Sequence, residues 1–377
     1  MNPVKVRKVD SDPTSSEREA LRRRCAFRTG GDPPDPGAEL AEIGAWCREH
    51  GHAADRYGAG ALIAAFEDKI AAILGFEAAV FMPSGTMAQQ IAMRIHAEST
   101  GVASFAMHPT SHLELHEQRG YARVQRLDAV LVGPRHRPTL ADDLAAWPER
   151  LAALLVELPA REIGGQLPSW DELAALASLA RSRGIRMHMD GARLWEAREA
   201  YAPRTHADIC AHFDTVYVSF YKGIGALAGA ALAGSKAFVD EARLWRKRMG
   251  GTLVQLHPFV ASAAMRLDAQ LARMGARREA AIALGRALAR VEGIRVLPDP
   301  PQVCMFHLHF DATPEAMLAA RDAVAESEGL WVPGGFVAGS APRTSYVEVY
   351  VGDATAAHDP SRVAEAYAKV VARALAA

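Results

Sequence analysis

The sequence predicts an α/β protein organised around a mostly parallel sheet and followed by a smaller α+β domain. Two observations carry that prediction. From Ala59 onward, short apolar strand-like runs alternate with helix-length amphipathic segments, the pattern of parallel strands joined by crossover helices. Polar or glycine signals also fall at or just past the ends of predicted strands: Ser84-Gly85-Thr86, Glu157, Asp190 and Lys222. Parallel sheets bind ligands outside the carboxyl ends of their strands, so these signals together mark one candidate site.

Residues 1–27 are polar and Arg-rich and read as a helix outside the main core. Thr29 to Gly37, with three prolines and three glycines, reads as a loop. Apolar residues at helical spacing predict a helix over Gly60 to Leu74. A strand over Ala78 to Met82, a turn at Pro83-Ser84-Gly85-Thr86 and an amphipathic run from Met87 to His96 follow. Further strands are expected at Ala153–Leu158, Arg186–Asp190, Thr215–Tyr221 and Leu227–Ala233, with helices at Trp170–Ser182 and Lys236–Met249. Beyond Gly251, the Ala- and Arg-rich stretch Pro258–Val291 predicts long helices bridging two lobes. The remainder reads strand (Val303–Phe310), helix (Pro314–Ser327), strand (Ser345–Val351), helix (Ser361–Ala376). The expected division is an N-terminal arm over 1–37, a large domain over 38–256, and bridging helices with a small domain over 257–377.

Composition narrows the function classes. Half of the 377 residues are hydrophobic and 23% are charged, enough apolar material for a sizeable core and too much for a disordered chain. Lys+Arg total 43 against 44 Asp+Glu, a net charge of -1, so electrostatics offers no case for nucleic acid or an acidic membrane as partner. Cys25, Cys47, Cys210 and Cys304 form no C-x-x-C pair, which argues against a zinc site or a disulfide framework. No stretch approaches the roughly eighteen apolar residues of a membrane helix, and Met1–Asp12 has no signal-peptide core. A soluble, cytoplasmic protein is expected.

Four features can carry chemistry. Lys222 follows a β-rich strand and precedes Gly223-Ile224-Gly225; its amine could form a Schiff base, although a lysine taken alone is more often an exposed turn residue. Asp190, ending the strand before Gly191-Ala192-Arg193, would place a carboxylate in the cleft that needs a cation, such as a protonated pyridine nitrogen; the ordinary alternative is a helix cap. Ser84-Gly85-Thr86 opens a helix, where N–H groups and hydroxyls suit a phosphate or a plain N-cap. His112 can stack on an aromatic ring or shuttle protons. His108, His112 and His116 are four apart and would share a helix face as metal ligands, but Pro109 disfavours that continuous helix, and no metal is expected. Imine-forming lysine, pyridinium partner, phosphate cradle and stacking histidine together match the needs of pyridoxal phosphate.

Three segments carry a family resemblance: Phe81-Met82-Pro83-Ser84-Gly85-Thr86-Met87, His188-Met189-Asp190-Gly191-Ala192-Arg193-Leu194 and Val218-Ser219-Phe220-Tyr221-Lys222-Gly223-Ile224-Gly225-Ala226. With Arg246-Lys247-Arg248-Met249-Gly250-Gly251 they run in order from about Ala54 to Leu256. The chain resembles the threonine aldolase/β-eliminating lyase group of pyridoxal-phosphate enzymes with the aspartate-aminotransferase-like fold (fold type I). The resemblance implies that Lys222 binds the cofactor covalently, Asp190 partners its pyridine nitrogen and His112 stacks on its ring. It likewise implies that Ser84, Gly85 and Thr86 hold the phosphate and that Arg193 binds the substrate carboxylate. Lys247 would lie near a neighbouring subunit's cofactor, and Asp55-Arg56-Tyr57-Gly58 looks like the subunit-contact loop of a homodimer or homotetramer with shared active sites.

Two departures concern the substrate. Ala160 stands where the family places a histidine beside the substrate hydroxyl, in Leu158-Pro159-Ala160-Arg161. The family's second carboxylate-binding arginine is not at its usual strand, occupied here by Tyr346-Val347-Glu348-Val349-Tyr350, and Arg343 is the nearby candidate. The expected reaction is retro-aldol cleavage of a β-hydroxy-α-amino acid to glycine and an aldehyde, with His112 or a water it positions as base. β-Elimination, with Lys222 taking the Cα proton, is the alternative. Arg161 either presents a charged fork to an acidic or phosphorylated substrate side chain or is a surface arginine.

Overall fold

The structure, a computed structural model, describes residues 13–376. The chain forms two compact units, one of residues 33–278 and one that joins the N-terminal segment through residue 32 to residues 279–377.

The larger unit is built on seven strands: β1 (Ala78–Met82), β2 (Ser104–Met107), β3 (Asp128–Leu131), β4 (Ala153–Glu157), β5 (Arg186–Gly191), β6 (Thr215–Ser219) and β7 (Ala230–Gly234). Their order across the sheet is β1-β7-β6-β5-β4-β2-β3. Only β7 runs against the others, antiparallel to both β1 and β6. The carboxyl ends of the remaining strands therefore meet along one edge. β6 and β7 are buried throughout, and β5 is buried after its first residue. Central strands covered on both faces read as continuous apolar runs rather than alternating ones. Val80, Met82, Phe105, Met107, Leu155 and Leu232 pack with Ile91 and Met93 of the helix Gly85–Thr100.

The smaller unit has a four-stranded antiparallel sheet of β8 (Ile294–Leu297), β9 (Met305–Phe310), β10 (Val337–Ala338) and β11 (Ser345–Tyr350), in the order β10-β11-β9-β8. The helices Pro314–Glu328 and Pro360–Leu375 contribute Met317, Val324, Tyr367 and Val370 to its core, beside Phe306 and Phe310.

The expected domain limits change at both ends. The N-terminal helix spans Pro13–Arg24, and the part of that expectation over residues 1–12 lies outside the described residues. This segment is no separate arm. Leu21 and Cys25 pack on Ala325 and Trp331, Arg18 Nε lies 3.0 Å from Asp322 Oδ2, and Phe27–Arg28 pairs in parallel with Leu330–Trp331. At the other boundary, the helix His257–Leu271 stays with the larger unit rather than opening the small domain. Asp55 Oδ1 accepts hydrogen bonds from the backbone N–H groups of Leu256 and His257, both at 2.8 Å, and fastens the helix start.

Several short elements escape the sequence pattern. β2 and β3 have four residues each, and β3 is an edge strand with exposed ends. The expected loop ends early because Asp35 caps a helix at Pro36–Glu49, accepting from Gly37 N at 2.8 Å. β6 stops at Ser219, two residues short of the expected Tyr221, because the chain turns there. Ala226 N bonds Phe220 O at 2.8 Å and Gly225 N bonds Lys222 O at 2.9 Å.

A buried polar chain ties β5 and β6 to the helix after β1. His96 Nε2 and His188 Nδ1 both meet Thr215 Oγ1, at 2.7 and 2.8 Å, and His188 Nε2 meets Gln89 Oε1 at 2.9 Å. The donor pattern closes with both imidazoles neutral: His188 donates to Gln89, Thr215 donates to His188, and His96 donates to Thr215. Burial pushes His96 down to about 4 and His188 well below its ordinary value. A histidine that titrates lower when folded takes its proton first in the unfolded chain, so stability falls as pH drops from 6.5 toward 4. At about 1.4 kcal/mol per pH unit, the His96 contribution over that window is about 3 kcal/mol. Denaturant unfolding at stepped pH should show this slope and a flatter one in His96→Gln; equal slopes would count against it.

Candidate active site

The site grows from strand register. Glu157 pairs with Asp190 across β4 and β5, and Asp190 pairs with Tyr217 across β5 and β6, so two carboxylates lie side by side at the carboxyl edge. Asp190 is 1% exposed, and its Oδ1 accepts from Ala192 N at 3.1 Å. Burial pushes its carboxyl above the usual range, while the charges of Lys222 and His112 pull it back. Glu157 is pushed up to about 7, first by burial and then by the Asp190 charge, against the Arg161 N–H and the charges of Arg193 and His112. Glu157 Oε1 accepts that Arg161 N–H at 3.0 Å. Lys222, His112, Glu157 and Asp190 thus share one electrostatic neighbourhood.

His112 opens the four-residue helix His112–Leu115. Its Nδ1 lies 3.1 Å from Oε1 of the buried Glu117, and this hydrogen bond is the main reason its imidazole titrates above the ordinary value, with the Asp190 charge adding to it. His108 lies outside that helix and is bound to Thr110 Oγ1 at 2.7 Å and to the carbonyls of Pro134 and Arg137 at 2.8 and 2.9 Å. The three histidines therefore do not line one helix face. His116 does adjoin His112, with ring centroids 5.1 Å apart, and its Nε2 is 2.8 Å from Glu162 Oε1.

Ser84 caps the helix Gly85–Thr100, its Oγ accepting from Met87 N at 3.2 Å. That hydroxyl therefore caps the helix through its oxygen, and its O–H remains a donor. The N–H groups of a first helical turn have no intrahelical acceptor, so the buried Gly85 and the exposed Thr86 present theirs at the helix start. Gly85 is where a side chain would fail: a Cβ there would collide with the Tyr217 hydroxyl. Burial and the Asp190 charge hold that phenol well above its ordinary value, keeping it neutral. Tyr217 therefore connects the helix start to Asp190.

Lys222 sits in the turn after β6, with Nζ 5.6 Å from the centre of the Tyr221 ring. A Cβ on the following Gly223 would strike the Glu196 carboxyl. Glu196 is 1% exposed, and neither of its oxygens has a hydrogen-bond partner. Burial raises its titration, opposed first by the Arg193 charge and then by its backbone and Lys222. Arg193 lies between Asp190 and the helix Leu194–Ala197, within electrostatic reach of Glu157 and Glu196. Arg161 Nη1 pairs with Glu162 Oε1 at 2.6 Å. Arg343 belongs to the smaller unit, in an exposed turn with a left-handed φ of 61°.

Tyr217, Glu196, Glu117 and Glu162 were not legible as site residues. Their strands and helices were expected or short, but nothing in the linear pattern distinguishes a tyrosine that will approach a glycine from one in any buried strand. Overpacking costs typically about 1–3 kcal/mol, so Gly85→Ala should lower unfolding stability by about that much. Thr86→Ala, at an exposed position, should stay within about 0.5 kcal/mol. Equal stabilities would show that the Tyr217 contact has slack.

Comparison with known proteins agrees with this architecture. A crystal structure from Listeria monocytogenes, provisionally named an L-allo-threonine aldolase, superposes with a TM-score of 0.87 at 38% identity, covering 94% of this chain and 98% of that one. The aldolase vrtJ of Penicillium aethiopicum is 35% identical over 53% of this chain and 53% of its own length. Low-specificity L-threonine aldolase 1 of Arabidopsis thaliana is 28% identical over 61% of this chain and 66% of its own. The alignments thus span about half to two thirds of these curated relatives. The beta-eliminating lyase family model matches residues 48–311, a span that contains Ser84, His112, Asp190 and Lys222, and the chain belongs to that family.

Proposed function

We propose that this protein is a pyridoxal-phosphate lyase that cleaves the Cα–Cβ bond of β-hydroxy-α-amino acids to glycine and an aldehyde. The observation that carries the reading is the meeting of Lys222, Asp190 and His112 at the carboxyl edge of the sheet, with a helix start tied to the same place by Tyr217. The cofactor fits these residues. A carboxyl as buried as Asp190 calls for a cation, and a protonated ring nitrogen meets that need. Lys222 supplies the amine for covalent attachment, His112 a flat ring, and Ser84, Gly85 and Thr86 the N–H groups and hydroxyl for a phosphate. Arg193 would take the substrate carboxylate.

When bound, the cofactor supplies an electron sink that weakens the bonds at the Cα of an amino acid. The chain's own residues do the rest. Asp190 keeps the ring nitrogen protonated, and Glu157, pushed up to about 7, shares its edge. Lys222 moves the proton at Cα. Arg193 orients the substrate so that the bond to be broken faces the sink.

We also propose a homodimer or homotetramer. Tyr57 and Val254 are 53% and 58% exposed and are joined by a hydrogen bond from Tyr57 N to Val254 O at 2.9 Å. Tyr57 lines a cavity of about 510 Å³ together with Arg243, Arg246, Lys247 and Thr252. A second copy would cover the exposed Tyr57 and Val254 and this cation-lined cavity. The free state of Cys25, Cys47, Cys210 and Cys304 supports a reducing, cytoplasmic setting.

Borohydride reduction of the cofactor-loaded protein followed by peptide mapping should place the label on Lys222; a label on Lys236 or Lys247, or on no lysine, would overturn the assignment. A panel of threonine, allo-threonine, phenylserine and hydroxyaspartate should release glycine and aldehyde, whereas ammonia and a keto acid would indicate β-elimination. Because Glu162 occupies the Arg161 fork, Arg161→Ala should change turnover of threonine and hydroxyaspartate by the same factor. A selective loss of hydroxyaspartate would show that Arg161 reads an acidic side chain.

A further inference from the structure

The proposed cleavage needs a base for the β-hydroxyl proton, and this inference rests on that reading. His112 is poorly suited, since Glu117 holds its Nδ1 and favours the protonated ring. Leu158, Pro159 and Ala160, which follow Glu157, carry no group that can move a proton. A second imidazole, that of His116, reaches the turn that follows them.

His116 is anchored from two sides of the site. Its backbone N–H bonds His112 O at 2.9 Å, and its ring tilts against the His112 ring at 5.1 Å between centroids. Its Nε2 lies 2.8 Å from Glu162 Oε1. Glu162 belongs to the turn Arg161–Ile163, which is pinned to Glu157 through the Arg161 N–H. The same Glu162 oxygen takes Arg161 Nη1 at 2.6 Å, which holds the carboxylate in place. The His116 side chain is 41% exposed, open to an incoming molecule and not buried in the core.

We propose that His116, oriented by Glu162, is the residue that takes the β-hydroxyl proton of the substrate. With Nε2–H donating to Glu162, the neutral ring carries its lone pair on Nδ1. Nδ1 takes the hydroxyl proton, the O–H electron pair becomes the π bond of the aldehyde, and the Cα–Cβ bond breaks with its electron pair left at Cα, a charge for which the cofactor would supply the sink. A proton from Lys222 then restores Cα–H to give glycine, His116 releases its proton to solvent, and Lys222 regains one from solvent. The carboxylate behind the imidazole stabilises the charge that develops on it, as in other carboxylate–histidine pairs.

The test separates this proton from the one at Cα. Cofactor-loaded wild type, His116→Gln and Glu162→Gln are assayed for aldehyde release from phenylserine and threonine, and for exchange of the glycine Cα proton in deuterated water by NMR. Loss of a general base costs on the order of 10²–10⁴-fold. Aldehyde release by His116→Gln should therefore fall at least about 100-fold, while glycine exchange, which needs Lys222 and not His116, stays near the wild-type rate. Glu162→Gln should lower aldehyde release by a smaller factor and also spare exchange. Unchanged aldehyde release in His116→Gln overturns the assignment, as does an equal loss of both activities, which would mark a structural role. A wild type that exchanges glycine but cleaves no β-hydroxy amino acid overturns the proposed reaction itself, a distinct result.

Discussion

Two carboxylates buried on adjacent strands are the constraint to which the site answers. Parallel pairing sets Glu157 beside Asp190, and both are pushed upward by burial. Each one's charge also opposes ionisation of the other, and such a pair shares protons instead of ionising twice. The surrounding groups are the ones that permit even one negative charge there: Lys222 and His112 act on Asp190, and Arg193, His112 and the Arg161 N–H act on Glu157. A buried carboxylate is costly without opposite charge nearby, so these cationic groups make ionisation at this edge less unfavourable.

Close backbone approach is the second theme. Gly85 lets the start of its helix rest on the Tyr217 hydroxyl, and Gly223 lets the lysine turn rest on the Glu196 carboxyl. In both places the missing Cβ brings a functional turn within contact of a buried acid or phenol. Glu196 lacks any hydrogen-bond partner for its oxygens, and burial favours its neutral form. The same economy of space explains why a glycine directly follows Lys222.

Each of the two compact units has a core of its own. The smaller one gains its N-terminal helix through the Leu21, Cys25, Ala325 and Trp331 cluster and a two-residue parallel strand pair. Leu21 and Trp331 are far apart in the chain, which is why a polar, Arg-rich opening reads as peripheral until its apolar residues meet their partners. Asp55, in the segment thought of as a subunit-contact loop, has an internal task as well, fastening the helix that begins at His257.

Sequence by itself determined the fold class, most element positions and the strand ends that carry the site. β1 and the helix Trp170–Ser182 match their expected limits, and Lys222, Asp190, His112 and Ser84-Gly85-Thr86 were all legible. Each is signalled locally, by periodicity, a cap or a glycine beside a charged residue. Tertiary structure decided what the site's charges do. The Glu157–Asp190 pairing is a matter of register between strands, the Tyr217 and Glu196 contacts join distant segments, and the His116–Glu162 pair spans two loops. It also decided that Arg161 faces a carboxylate of its own chain and that the N-terminal helix joins the C-terminal unit. These outcomes depend on distances between residues remote in sequence, which local propensity does not encode; packing and burial set them only once the sheet has assembled.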